Sequence, residues 1–171
     1  HWLVTNLLSV TRIEAGNVQL QSRPVSLANT LREWWEPFQK RAAENQLKVE
    51  WDIRDELTVE TDPEFLRVVV SNLFDNAVSY TPHGKTVRIA ADDSGNILVV
   101  NQALNLDAQM AERVFDPFWR MTDARDEVGV HVGLGLNLCQ KIIQLLGGQI
   151  QAAVNAPGGE FEVRLQVALI S

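Results

Sequence analysis

The chain has 171 residues, enough for one medium domain or a domain with a short appendage, and its 46% hydrophobic and 22% charged content is that of an ordinary globular protein. A net charge of −7 argues against a nucleic-acid partner, and the lone Cys139 excludes a disulfide framework or a cysteine-rich zinc site. No run approaches the roughly 20 apolar residues of a membrane span and no secretory signal is visible, so a reducing, cytoplasmic setting is expected.

In residues 1–16, Leu3, Leu7, Val10 and Glu14 follow one helical line, which Val4 and Leu8 widen, and Gly16 is a C-cap candidate. This segment is expected to be the tail of a longer helix. Polar residues 17–24 read as a linker. A helix is expected over 26–45, capped by Ser26, with Leu27, Leu31, Trp34, Trp35 and Phe38 on its inner side and a bend at Pro37. Leu47, Val49, Trp51 and Ile53 alternate as in a half-buried strand, and residues 57–59 make a short second one.

Residues 61–82 read as a helix with a sharp start and stop. Thr61 or Asp62 can cap it, Pro63 is tolerated in its first turn, and Pro82 halts it. Leu66, Val69, Val70, Leu73, Phe74, Ala77 and Tyr80 share one broad arc, a core-facing stripe. The opposite arc carries Glu64, Val68, Asn72, Asp75, Asn76 and Ser79. Asn72 and Asn76 are four apart, so they occupy adjacent turns of one side. Asparagine is a mediocre helix former, and propensity gives no reason for two of them in mid-helix. A solvated polar face is the plain alternative.

Strands are expected over 86–91 and 97–100, joined by a hairpin-type turn at 93–96. Residues 101–133 read as loop with a short helix over 108–114. A long helix over 134–146 turns Leu138, Ile142, Leu145 and Leu146 inward and stops at Gly147-Gly148; Cys139 lies within it as a small buried side chain. Two last strands, 149–154 and 161–169, flank a turn at 155–159. The sum is an α/β two-layer sandwich, one mostly antiparallel sheet with helices on a single face.

The helix over 134–146 opens with Gly133, Leu134, Gly135 and Leu136. Glycines at a helix start let an anion approach the free N–H groups, where the helix dipole favours negative charge. Close helix–sheet packing explains the same glycines. The preceding loop holds Arg120, Arg125 and His131, and a phosphate-rich ligand would give both features a purpose.

Residues 72–82, Asn-Leu-Phe-Asp-Asn-Ala-Val-Ser-Tyr-Thr-Pro, resemble the N box of sensor histidine kinases. Phe115-Asp-Pro-Phe-Trp-Arg120 resembles their F box, and Gly133-Leu-Gly-Leu136 the later half of their second glycine box. Residues 8–16 are similar to the end of the second helix of the dimerisation and phosphoacceptor domain. The boxes follow one another in family order and spacing. The resemblance implies a Bergerat ATP-binding fold over 19–171, with the end of the dimerisation helix over 1–18. It also implies ATP and Mg²⁺ as ligands, with a catalytic and metal-holding role for Asn72 and Asn76. Tyr80 matches the aromatic near the adenine. Phe115 and Phe118 would anchor a lid, Arg120 would reach a phosphate, and the backbone of Gly133, Leu134, Gly135 and Leu136 would cradle the phosphates.

This chain departs from the family pattern in places. The first glycine box, Asp-x-Gly-x-Gly, is matched by Asn101-Gln-Ala103-Leu-Asn105. Asn101 can still accept a hydrogen bond from the adenine amino group, without the charge assistance that roughly doubles such a bond. Ala103 and Asn105 replace glycines, Ser79 replaces a frequent lysine, and His131 stands where the second glycine box has its first glycine. These departures bear on nucleotide affinity rather than on the fold. His131 either contacts a phosphate or is a lid residue, while His83 is expected to be solvated and His1 lies outside any phosphoacceptor motif. Trp2, Trp34, Trp35 and Trp51 are expected to pack, and Trp119 either covers the nucleotide or does not.

The expected function is therefore the ATP-binding catalytic domain of a sensor histidine kinase. It would pass the γ-phosphoryl group to a histidine on a dimerisation domain, for relay to a response regulator. The resemblance implies a homodimeric full-length sensor in the inner membrane, with this part in the cytoplasm; the fragment alone is expected to bind nucleotide without phosphorylating itself. The alternative is a degenerate nucleotide-binding regulatory module. A gyrase-like hydrolase is disfavoured because those relatives use a glutamate base where this chain has Asn72, and an amide takes no proton at neutral pH.

Overall fold

The computed structural model describes residues 18–102, 107–119, 133–155 and 159–167. The helical segment expected over 1–16 lies outside these, as do Ala103, Asn105, Arg120, Arg125 and His131.

Strand β1 (Arg23–Ser26) pairs antiparallel with β3 (Thr58–Thr61), from Arg23 opposite Thr61 to Ser26 opposite Thr58. The polar linker expected over 17–24 gives its last two residues, Arg23 and Pro24, to this strand. A two-stranded ribbon tolerates a proline whose missing N–H has no ladder partner to lose. The helix expected over 26–45 is divided into α1 (Leu27–Trp35), one 3₁₀ turn (Glu36–Phe38) and α2 (Gln39–Glu44). Pro37 has no N–H to give to the Glu33 carbonyl, and the Glu36 N–H takes that carbonyl instead, tightening the turn. Ser26 does not cap α1 with its side chain; the Leu27 N–H donates to the Leu57 carbonyl at 3.0 Å.

Helix α3 (Pro63–Tyr80) has the expected limits. Asp62 caps it, one carboxylate oxygen accepting from the N–H groups of Glu64 at 3.0 Å and Phe65 at 3.3 Å. Its other oxygen accepts from the Gln21 N–H at 2.8 Å, tying the chain before β1 to the start of the helix. At the far end, Thr81 is extended before Pro82 and its hydroxyl donates back to Ala77.

The main sheet has the order β2 (Lys48–Asp52), β4 (Thr86–Ala91), β5 (Ile97–Gln102), β7 (Glu160–Gln166), β6 (Gln149–Asn155). Among the described residues only β2 and β4 run parallel. Cross-strand rows such as Trp51, Ile89, Val99, Val163 and Ala152 line the face that carries the helices, while Arg88 and Arg164 stand exposed on the other. Helix α4 (Ala108–Arg113) and helix α5 (Gly135–Leu145) complete the described elements.

Helix α3 lies at the centre of the packing, against α5, β5 and α1. Leu66, Val69, Val70, Leu73, Phe74 and Ala77 are buried as the stripe predicts, whereas Tyr80 is half-buried. Trp35 meets Phe74 edge-on at 5.0 Å between centroids, and Trp51 and Phe38 stand around the same ring. These tryptophans pack, as expected.

Candidate functional site

Asn72 does not face bulk solvent. It is 3% exposed, and its Nδ2 donates to the Val68 carbonyl one turn back, at 2.7 Å. A carbonyl oxygen only accepts, so the amide nitrogen must point along the helix toward Val68 and the amide oxygen away from it. Asn76 and Tyr80 follow at one-turn intervals, both half-buried. Between the two asparagines, Asp75 is held by Arg41 of α2, whose guanidinium also lies 5.9 Å from the Phe38 ring centroid. Sequence reasoning did not single out Arg41.

Helix α5 packs against α3. The Cys139 thiol donates to the Val69 carbonyl at 3.6 Å, joining the two helices, and burial drives the thiol far above its ordinary pKa. Leu134 is the N-cap and has no side-chain acceptor, so no cap of its own covers the first N–H groups of α5. Gly133 adopts φ +74°, and a Cβ there would lie 2.6 Å from the Trp119 carbonyl oxygen. Only glycine accommodates both demands.

The turn over residues 115–119 packs across this helix start. Its Phe118 N–H donates to the Gly133 carbonyl at 3.0 Å, and Asn137 Nδ2 donates to the Phe115 carbonyl at 3.0 Å. Phe115 and Trp119 lean on the core, while Phe118 is 69% exposed with φ +65°. Two segments read separately in the sequence thus form one joint. Asn137 was missed; the available signal was an asparagine in the first turn of a helix, where its propensity is poor.

Asn101 ends up on the helix-bearing face of β5, 5% exposed, between Val87 of β4 and Phe161 of β7. Its Nδ2 donates to the Gln102 carbonyl at 3.1 Å, which leaves the amide oxygen as the acceptor end. Asn72, Asn76 and Tyr80 thus lie on α3, Asn101 on β5 and residues 133–136 at the start of α5, and both β5 and α5 pack against α3. Arg120 and His131 lie outside the described residues. His83 is exposed in the turn after α3.

The family model for histidine kinase-, DNA gyrase B-, and HSP90-like ATPases matches residues 61–169, more than half of the chain. The adaptive-response sensory kinase SasA of Synechocystis is 30% identical over 153 residues, covering 86% of this chain and 39% of SasA. The chain thus spans well under half the length of this relative. Among solved structures, full-length histidine kinase ShkA in complex with AMPPNP has a TM-score of 0.75 at 26% identity, covering 98% of this chain and 36% of ShkA. Histidine kinase ThkA in complex with the response regulator TrrA has a TM-score of 0.72 at 22% identity, covering 97% of this chain and 48% of ThkA. This chain belongs to the family of histidine kinase-, DNA gyrase B-, and HSP90-like ATPases, as a catalytic domain of the sensor histidine kinase kind.

Proposed function

We propose that the domain binds ATP with Mg²⁺ between α3 and the start of α5 and presents the γ-phosphoryl group to a histidine outside these 171 residues. In that transfer the γ-phosphorus exchanges its bond to the β-phosphate bridging oxygen for a bond to an imidazole nitrogen, and ADP departs. Asn72 and Asn76 are the residues to hold the metal, since an amide oxygen is a hard donor suited to Mg²⁺ alongside phosphate and water. The metal, when bound, neutralises charge on the phosphate oxygens. The N–H groups from Gly133 to Leu136 take the phosphates at the positive end of α5, and Tyr80 and Asn101 take the adenine. Arg120 and His131 are assigned to the phosphates on the resemblance alone.

The observation that carries this reading is Asn72. A buried amide in mid-helix, with its nitrogen committed to Val68, has its oxygen left for a partner other than the helix. The AMPPNP bound by ShkA and the response regulator bound by ThkA support the same reading for ligand and relay partner. We further propose that the full-length protein is a homodimeric sensor in the inner membrane, with this domain in the cytoplasm where ATP is available. The domain alone binds nucleotide and does not phosphorylate itself.

Calorimetric titration with a non-hydrolysable ATP analogue, with and without Mg²⁺, tests the reading, using Asn76→Ala as control. Saturable, Mg²⁺-dependent uptake that Asn76→Ala abolishes or weakens at least tenfold is expected. Absence of uptake by the unaltered domain would leave a degenerate regulatory module instead. Label from γ-labelled ATP on the isolated domain would contradict the placement of the acceptor histidine elsewhere.

A further inference from the structure

The 115–119 turn and the first turn of α5 are fastened at two points, and the two bonds run in opposite senses. Asn137 donates from the helix to the Phe115 carbonyl, and the Phe118 N–H donates from the turn to the Gly133 carbonyl. Phe118 holds a left-handed conformation, φ +65°, that a side chain with a Cβ disfavours. The residue is 69% exposed, so burial of the side chain does not hold it there. The backbone clasp does. Gly133 completes the joint by passing the Trp119 carbonyl where a Cβ would collide.

We propose that Asn137 is a positioning residue for the nucleotide phosphates. By gripping the Phe115 carbonyl it fixes the turn against which Gly133 bends, and so sets the direction of the Gly135 and Leu136 N–H groups before any phosphate arrives. Donors already aimed lose no freedom on binding; donors released from the clasp must be ordered by the ligand, which lowers its affinity. The inference rests on the nucleotide reading given above.

The test combines calorimetry with Mg-AMPPNP and NMR amide exchange at Phe118, on the unaltered domain, Asn137→Ala and Asn137→Gln. Asn137→Ala is expected to weaken AMPPNP binding about three- to tenfold and to speed exchange of the Phe118 N–H by a similar factor. The thermal midpoint should stay in place, because alanine is the better helix former and offsets the lost bond. Asn137→Gln, which keeps the amide donor on a longer stem, should recover part of both effects. Either effect without the other overturns the proposal, as does a lowered midpoint with faster exchange throughout α5, the mark of a merely structural residue. Failure of the unaltered domain to take up AMPPNP overturns the nucleotide reading and this inference with it. Binding by the unaltered domain with unchanged affinity in Asn137→Ala overturns the inference alone.

Discussion

Arg41 of α2 donates from one guanidinium nitrogen to both the carboxylate of Asp75, at 2.5 Å, and the Asp75 carbonyl, at 3.3 Å. Asp75 sits between Asn72 and Asn76, so this grip fastens the amide-bearing turns of α3 to the short helix beside them. Arg41→Met keeps an apolar stem over Phe38 but removes the charge. It should lower unfolding free energy by about 1–2 kcal/mol, since the Asp75 side chain is largely buried. Urea unfolding measures this. An unchanged midpoint would put the pair among the many ion pairs that contribute nothing measurable.

Cys139 is the only thiol and is wholly buried, its S–H directed to the Val69 carbonyl. Burial disfavours the thiolate, the reactive form. A thiol reagent such as dithionitrobenzoate should leave the folded domain untouched at pH 8 and react fully in denaturant. Prompt reaction of the folded domain would show that α3 and α5 do not pack as described.

Asn101 offers a neutral acceptor at the position assigned to the adenine. Asn101→Asp should strengthen binding of adenine nucleotides several-fold, because a charged acceptor makes the stronger bond. The same change should lower the thermal midpoint of the empty domain. The carboxylate would be buried, and it could no longer donate to the Gln102 carbonyl. Calorimetry and thermal unfolding read the two effects, and loss of affinity would contradict the adenine assignment.

The turn between β4 and β5 makes a pH-dependent contribution. The Asn96 side chain, above all, and the N–H groups of Asn96 and Ser94 donate to the Asp92 carboxylate and hold its pKa below the ordinary carboxylate value. A depressed folded-state pKa gives stability that is complete above the unfolded value, near 3.9, and is lost as pH falls through the folded value. The stability difference between the unaltered domain and Asp92→Ala should therefore be constant from pH 7 to about 5 and shrink below about 4. A difference that grows on acidification would contradict this.

The strong punctuation of α3 made it legible: Asp62-Pro63 at one end and Thr81-Pro82 at the other bracket an unbroken apolar stripe. Pro37 likewise announced the break between α1 and α2. Strand β1 was not legible because Pro24 looks like a linker residue until its partner strand is known. Periodicity placed Asn72 on the side away from the core stripe but could not tell a buried amide from a solvated one. The grips of Asn137 on Phe115 and of Arg41 on Asp75 join residues 22 and 34 apart in sequence, and no local pattern encodes either contact.

A crystal structure of the domain with Mg-AMPPNP tests the central claim most directly. The account predicts the metal about 2.1 Å from an amide oxygen of Asn76 or Asn72, with phosphate oxygens on the N–H groups at the start of α5. A triphosphate lodged elsewhere, or asparagine amides left without contact to metal or phosphate, would contradict it.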